Sequence, residues 1–381
     1  MRVAVLGFGT VGVGVYEMLG KARGLEQGPV LVRPGKNDAP FKVTSIEEIV
    51  SDPGVDAVAE VMGGVEPAFS YAAAALKAGK HFVTSNKALV AAKGLELDTL
   101  ARENHVAFLF SAACGGGVPF LHNLALARES DRILSVGGIL NGTTNYMLDA
   151  MQRLQLDYGG ALADAQRLGY AEADPTADVS GLDALRKIML ACAVAYGKLP
   201  AEGLLNEGIE SVTDLDVLHF MEKGYTCRLL AQGGPTDNGV YAYVEPVLVR
   251  DGAPECSVLQ NYNMARYEGE CAGPIVLMGQ GAGRWPTASA VIRDLSDTLQ
   301  GARAMLPEGC AATAADNAGC VHSYYVRLTQ KRLDALPVET VETELGVARV
   351  ITKPLSVKEM HGIAAQLRDS GESVFFAAIG G

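Results

Sequence analysis

Two stretches of this sequence combine residue types whose spacing can do chemistry. The first is Gly7-Phe8-Gly9-Thr10-Val11-Gly12, a G-x-G-x-x-G run between the apolar segment Val3-Ala4-Val5-Leu6 and a helical pattern that continues to Leu19. After a strand and opening a helix, that run is a dinucleotide fingerprint. Gly7 permits the tight turn, Gly9 lets backbone approach a pyrophosphate, and Gly12 lets the helix pack on the strand. The helix start supplies N–H groups and a positive dipole end for the phosphates. The second stretch runs from Gly169 to Lys187. Glu172, Asp174 and Asp178 precede a long helix, Asp183 falls in its first turn, and Lys187 follows four residues later on the same face. From spacing alone this reads equally as a charge cluster with a surface ion pair.

The elements around these stretches set the expected fold. Strand and helix patterns alternate through residues 1–130, with strands near 30–32, 55–61, 81–84 and 106–110 and helices at 69–78 and 95–104. That alternation predicts a parallel sheet and a Rossmann dinucleotide-binding domain. From 131 to 301 the pattern becomes mixed, with strands near 133–140, 241–249 and 274–278 and helices near 144–151 and 182–196. We expect an α+β catalytic and dimerisation domain there, and a helix near 287–300 returning to the first domain. Residues 302–320 read as a linker. Residues 321–381 read as a small α+β tail in the order strand, helix, strand, helix, strand.

Bulk properties narrow the function classes. The net charge is −12 and no Lys/Arg-rich run exists, which argues against nucleic acid or an anionic membrane as partner. No stretch of about 20 apolar residues predicts a membrane span, and the N-terminal apolar run is too short for a secretory signal. Seven cysteines are scattered without a CxxC pair or a Cys/His cluster, so neither a disulfide framework nor zinc is expected, and the cytoplasm follows. The second strand ends Val32-Arg33-Pro34-Gly35-Lys36, with no acid to bind ribose hydroxyls. Arg33 and Lys36 can instead pair with a 2′-phosphate, which leans the cofactor toward NADP, or toward dual use of NADP and NAD.

Four motifs in order give the chain a family resemblance. Gly169-Tyr170-Ala171-Glu172-Ala173-Asp174-Pro175-Thr176 with Asp178, Gly181, Asp183 and Lys187 is similar to the substrate motif of homoserine dehydrogenases. Ile139-Leu140-Asn141-Gly142-Thr143-Thr144-Asn145-Tyr146, Thr84-Ser85-Asn86-Lys87, and Gly281-Ala282-Gly283 with Pro286-Thr287-Ala288-Ser289-Ala290-Val291 resemble three further signatures. The resemblance implies interconversion of L-homoserine and L-aspartate 4-semialdehyde with NAD(P), by a homodimer or homotetramer. It implies that Lys187 exchanges the proton at the substrate oxygen, that Lys87 lies near the nicotinamide, that Glu172 and Asp183 bind homoserine, and that Gly169 and Gly283 present backbone to the cofactor. It also implies that carbonyls near Ser111, Cys114, Gly116 and Val118 hold sodium or potassium, although the family usually has Glu where Ser111 stands. The tail resembles an ACT module short by about one strand and without its usual turn, so feedback by an amino acid such as threonine is not expected. Two other readings stand beside this one: a non-catalytic NADP-binding sensor of the same fold, and another Rossmann oxidoreductase of the aspartate pathway.

Overall fold

A computed structural model describes residues 1–35 and 39–380. It divides the chain into two compact units, the first made of Met1–Ile133, Met189–Leu199 and Tyr267–Ala311, the second of Leu134–Ile188, Pro200–Arg266 and Ala312–Gly381.

The first unit is built on the strands β1 (Arg2–Leu6), β2 (Glu26–Leu31), β3 (Lys42–Val43), β4 (Ala57–Glu60), β5 (His81–Thr84) and β6 (Phe108–Leu109). They form one sheet in the order β3-β2-β1-β4-β5-β6, and every pair is parallel. Val3, Ala4, Val5 and Leu6 are all fully buried, as expected of a strand covered on both faces. Helices α1 (Thr10–Leu19), α2 (Ile46–Val50), α3 (Ala68–Lys77) and α4 (Lys87–Glu103) alternate with these strands. The order reverses direction at β1, whose neighbours are β2 and β4. Ligands of such sheets bind outside the strand ends at that point. The helix Arg284–Leu299 belongs to this unit and packs on α1, where the small residues Gly14 and Ala288 let the two approach.

The second unit is a largely antiparallel sheet in the order Tyr262–Gly269, Ile133–Ile139, Tyr225–Thr236, Gly239–Arg250, Phe375–Ile379, Tyr324–Thr329, Val347–Thr352, Val338–Glu344. Gly239–Arg250 and Phe375–Ile379 run parallel. Several sequence expectations are corrected here. Residues 302–320 are not a linker, because Met305, Leu306 and Asn317 are buried and Ala311–Ala314 is a strand. The tail has the extra strand Val338–Glu344, and its first expected helix is only the kinked 3-10 turn Gln330–Ala335. Its strands join the large sheet, and Tyr324, Val326, Val350, Met360 and Phe376 share one core with Ile139, Leu230 and Val247.

Polar locks hold the tail to that core. Arg327 Nε lies 2.9 Å from the buried Asp216 carboxylate, which also accepts the Tyr325 hydroxyl at 2.9 Å. Arg368 forms a two-point pair with Glu207 at 2.9 and 2.6 Å. Removing one member of a buried pair leaves an uncompensated charge, at a cost of about 3–5 kcal/mol. Arg327→Ala should therefore lower the thermal unfolding temperature markedly, whereas substitution of the exposed Arg132, 3.6 Å from the exposed Glu270, should not.

Candidate active site

The glycine turn has the geometry its sequence predicts. Gly7 adopts φ +99° and its N–H donates to the Leu31 carbonyl at 3.0 Å, which sets the turn off the end of β1. A Cβ at Gly12 would stand 2.1 Å from the Gly7 carbonyl oxygen, so no side chain fits there. Gly9 caps α1 without any side-chain hydrogen bond, and a Cβ at Gly9 would meet nothing within 4 Å. The helix therefore begins with unpaired N–H groups beside an open glycine, and Thr10 next to it is exposed. These are the conditions for a phosphate at a helix start, so the residues present fit a dinucleotide. Phe8 turns its ring against Tyr16 at 6.0 Å between centroids, and Val11 is half-buried. Arg33 is exposed just past the end of β2, and Lys36 lies outside the described residues.

Lys87 is the first residue of α4 and is half-buried. The sequence pattern puts the start of this helix at Leu95, because Gly94 reads as a break. The true start is set by Asn86, whose side chain accepts the Leu89 N–H at 3.1 Å.

The loop at Ser111, Cys114, Gly116 and Val118 is buried or half-buried and tightly folded. Val118 N–H donates to Gly115 at 2.8 Å and Gly117 N–H to Gln280 at 3.1 Å. Ser111 is anchored by an acid that sequence reasoning missed. Its N–H donates to the fully buried Asp294 at 2.8 Å, and its hydroxyl donates to the same carboxylate. Burial pushes the Asp294 carboxyl up to about 7, against the pull of those two bonds. The acid that anchors Ser111 thus comes from the helix Arg284–Leu299. Among the described residues no group of three or more His, Cys, Asp and Glu can hold a metal ion, so a cation here would depend on carbonyl oxygens. Gly283 caps that same helix with φ +116°.

The second unit gathers the acidic residues and Lys187. Asp183 and Lys187 lie one turn apart in the helix Leu182–Tyr196, and Lys187 Nζ is 2.7 Å from Asp183 Oδ2. Side-chain exposure is only 9% for Asp183 and 10% for Lys187, so this is no surface ion pair. Lys187 Nζ also donates to the Leu140 carbonyl. Asn141 caps the helix Gly142–Arg153 through its oxygen, which accepts the Thr144 N–H at 2.9 Å. Its amide nitrogen bridges two acids, donating to Asp178 at 2.7 Å and to Asp183 at 2.9 Å. Thr143 donates to the Tyr170 carbonyl at 2.6 Å and to Asp178 at 3.2 Å. The motifs at 139–146 and 169–187 therefore fold into one polar cluster inside this unit.

Asp178 belongs to the motif, but the sequence assigns it no role. Burial and the nearby Asp183 raise its carboxyl above the usual range, while the bond from Asn141 pulls it down. Its signal was its place five residues before Asp183 in the motif. Glu172 stands apart: it is exposed on the loop before Pro175, and its carbonyl accepts Gln166 Nε2 at 3.1 Å. Gly169, φ +76°, ends the preceding turn with open space where a side chain would stand.

A doubly wound parallel sheet with an uncapped glycine turn, together with a mixed-sheet unit carrying a buried Lys–Asp pair, defines a nicotinamide-dinucleotide oxidoreductase. The family description "Homoserine dehydrogenase, NAD binding domain" matches residues 7–111, and "Homoserine dehydrogenase" matches residues 119–296. The chain is 39% identical over 313 residues to the homoserine dehydrogenase of Synechocystis sp., covering 77% of this chain and 72% of that one. It is 38% identical over 376 residues to that of Mycobacterium tuberculosis, covering 91% and 85%. A homoserine dehydrogenase structure from Thiobacillus denitrificans matches with a TM-score of 0.88 at 28% identity, over 100% of this chain and 98% of that one. A hyperthermophilic archaeal homoserine dehydrogenase mutant in complex with NADPH matches with a TM-score of 0.67 at 26% identity, over 78% and 97%. The chain belongs to the homoserine dehydrogenase family.

Proposed function

We propose that this enzyme interconverts L-homoserine and L-aspartate 4-semialdehyde with NAD(P), and that Lys187 exchanges the proton at the substrate oxygen. The observation that carries this reading is the Lys187 ammonium held 2.7 Å from Asp183 inside a cluster of acids. When bound, the nicotinamide supplies or accepts the hydride at its C4. Lys187 supplies the accompanying proton to the aldehyde oxygen in reduction and takes it from the hydroxyl in oxidation. A lysine paired with Asp183 carries the proton that the aldehyde oxygen needs, so reduction is the direction the residues present serve most directly.

The substrate ammonium is assigned to the acids Asp178, Asp183 and Glu172, and the second lysine, Lys87, to the substrate oxygen near the nicotinamide. The pyrophosphate is assigned to the N–H groups at Gly9–Gly12, the 2′-phosphate of NADP to Arg33, and the cofactor's edge to backbone at Gly169 and Gly283. Carbonyls at Ser111, Cys114, Gly116 and Val118 are assigned to sodium or potassium. Exchanging potassium for sodium at constant ionic strength should change kcat if the assignment holds.

No helix among the described residues is long and apolar enough to cross a membrane. We place the protein in the cytoplasm, where its seven free cysteines stay reduced, as a homodimer or homotetramer, with light scattering as the check. The direct test of function is a spectrophotometric assay with homoserine and either NAD or NADP. Cofactor reduction is expected, faster with NADP because of Arg33. Folded enzyme at high concentration that reduces neither dinucleotide would overturn the proposal.

A further inference from the structure

Glu60 is a buried acid to which no role above gives work. It ends β4, is fully buried, and burial raises its carboxyl above the usual range. Its surroundings show why an acid stands there, because every group bonded to its carboxylate is a donor. Oε1 accepts the N–H of Met62 at 2.6 Å and that of Gly63 at 3.2 Å. Oε2 accepts the Thr84 hydroxyl at 2.5 Å. Thr84 Oγ1 in turn accepts the Asn86 N–H at 2.9 Å. Asn86 then closes the circuit by donating from Nδ2 to the Gly64 carbonyl at 2.6 Å, while its Oδ1 caps α4.

The circuit joins two places that matter for the chemistry. One is the loop 61–64, which packs directly on the glycine turn: a Cβ at Gly7 would lie 2.9 Å from Met62 Cγ and 3.2 Å from the Val61 carbonyl oxygen. The outer side of that loop is open, since a Cβ at Gly63 would meet nothing within 4 Å. The other place is the start of α4, where Lys87 directly follows Asn86 in the chain. All these residues belong to the first unit.

We propose that Glu60 is a positioning residue: one carboxylate oxygen holds the loop against the glycine turn, and the other, through Thr84 and Asn86, fixes where α4 presents Lys87. The inference rests on the role given to Lys87 above. A side chain misplaced by about 1 Å can cost a hundredfold in rate, so a break in the link registers in kcat before it registers in dinucleotide affinity.

The test uses the full chain with Thr84→Val, Thr84→Ser, Glu60→Gln and the Glu60→Gln/Thr84→Val double variant. Thr84→Val keeps the volume and removes the hydroxyl. Glu60→Gln keeps an oxygen for the loop but presents an NH2 group to Thr84. Each should lower kcat by about 10- to 100-fold. NADPH affinity, read by fluorescence titration, should stay within about threefold. Thr84→Ser should recover kcat to within about threefold, and the double variant should be no worse than about threefold below the poorer single variant, because both cut one link. Turnover within about twofold of the parent in both single variants, or multiplicative losses in the double, would overturn the proposal. So would losses that Thr84→Ser shares and that track only the unfolding temperature. Lys87→Met separates the two readings. Retained turnover there removes the lysine's role, whereas retained turnover in Thr84→Val with an inactive Lys87→Met removes only the Glu60 link.

Discussion

Lys187→Ala is expected to lower kcat by about 10²- to 10⁴-fold, the range for losing a positioned proton donor, while NADPH affinity changes little. The two effects separate because the glycine turn that would hold the dinucleotide lies in the first unit, whereas Lys187 lies in the second. The substitution also leaves Asp183 buried without its cation. That costs about 3–5 kcal/mol where such a pair is fully buried, so the variant must be assayed below its own unfolding temperature. Lys187→Arg keeps the charge beside Asp183 but holds its proton too tightly to exchange it. It should regain thermal stability and not turnover. Normal turnover in either variant would place the proton transfer elsewhere.

The second large effect is expected at Gly12. Any side chain there meets the Gly7 carbonyl at 2.1 Å, far inside contact distance, so the turn or α1 must move. Gly12→Val should weaken NADPH binding by at least about tenfold, since the N–H groups at the start of α1 no longer converge on one point. Circular dichroism should show the secondary structure largely kept, because the damage is confined to one strand–helix junction. The neighbouring Gly9 offers the contrast. A Cβ there meets no protein atom within 4 Å, so Gly9→Ala should fold normally and weaken binding only by crowding the ligand. Equal NADPH affinity in Gly12→Val and the parent would show that the dinucleotide does not use this turn.

The glycine turn was legible in the sequence because its demands are made on the backbone, and only glycine meets them. Asp183 and Lys187 were legible through their motif, although spacing alone could not tell a buried pair from a solvated one. Glu60 and Asp294 were not legible. Each is a single acid in an otherwise ordinary strand or helix, and its meaning comes from donors distant in the chain: Thr84 for Glu60 and Ser111 for Asp294. The helix carrying Lys87 was cut short because Gly94 reads as a break, whereas packing tolerates a glycine inside a long helix. The strand Val338–Glu344 was missed because most of it is exposed and rich in Glu, the pattern of a charged sheet edge rather than of a core. Pro307, Gly309 and Gly319 suggested a linker where Met305 and Leu306 are in fact buried.

Phe375–Ile379 does not hang on the margin of its sheet; it is seated between Gly239–Arg250 and Tyr324–Thr329. A ribosome delivers residues in order, so that slot stays vacant until Phe375–Ile379 itself has emerged. Until then the strand Gly239–Arg250 lacks a partner at Val247 and Leu248, beyond the stretch where Leu205–Asn206 pairs with Tyr243 and Val244, and that part of the nascent protein is exposed to pairing with a neighbour's strand. The second unit can thus mature only after synthesis has passed Ile379. Messages truncated even slightly upstream should yield product that is cleared rather than partly active.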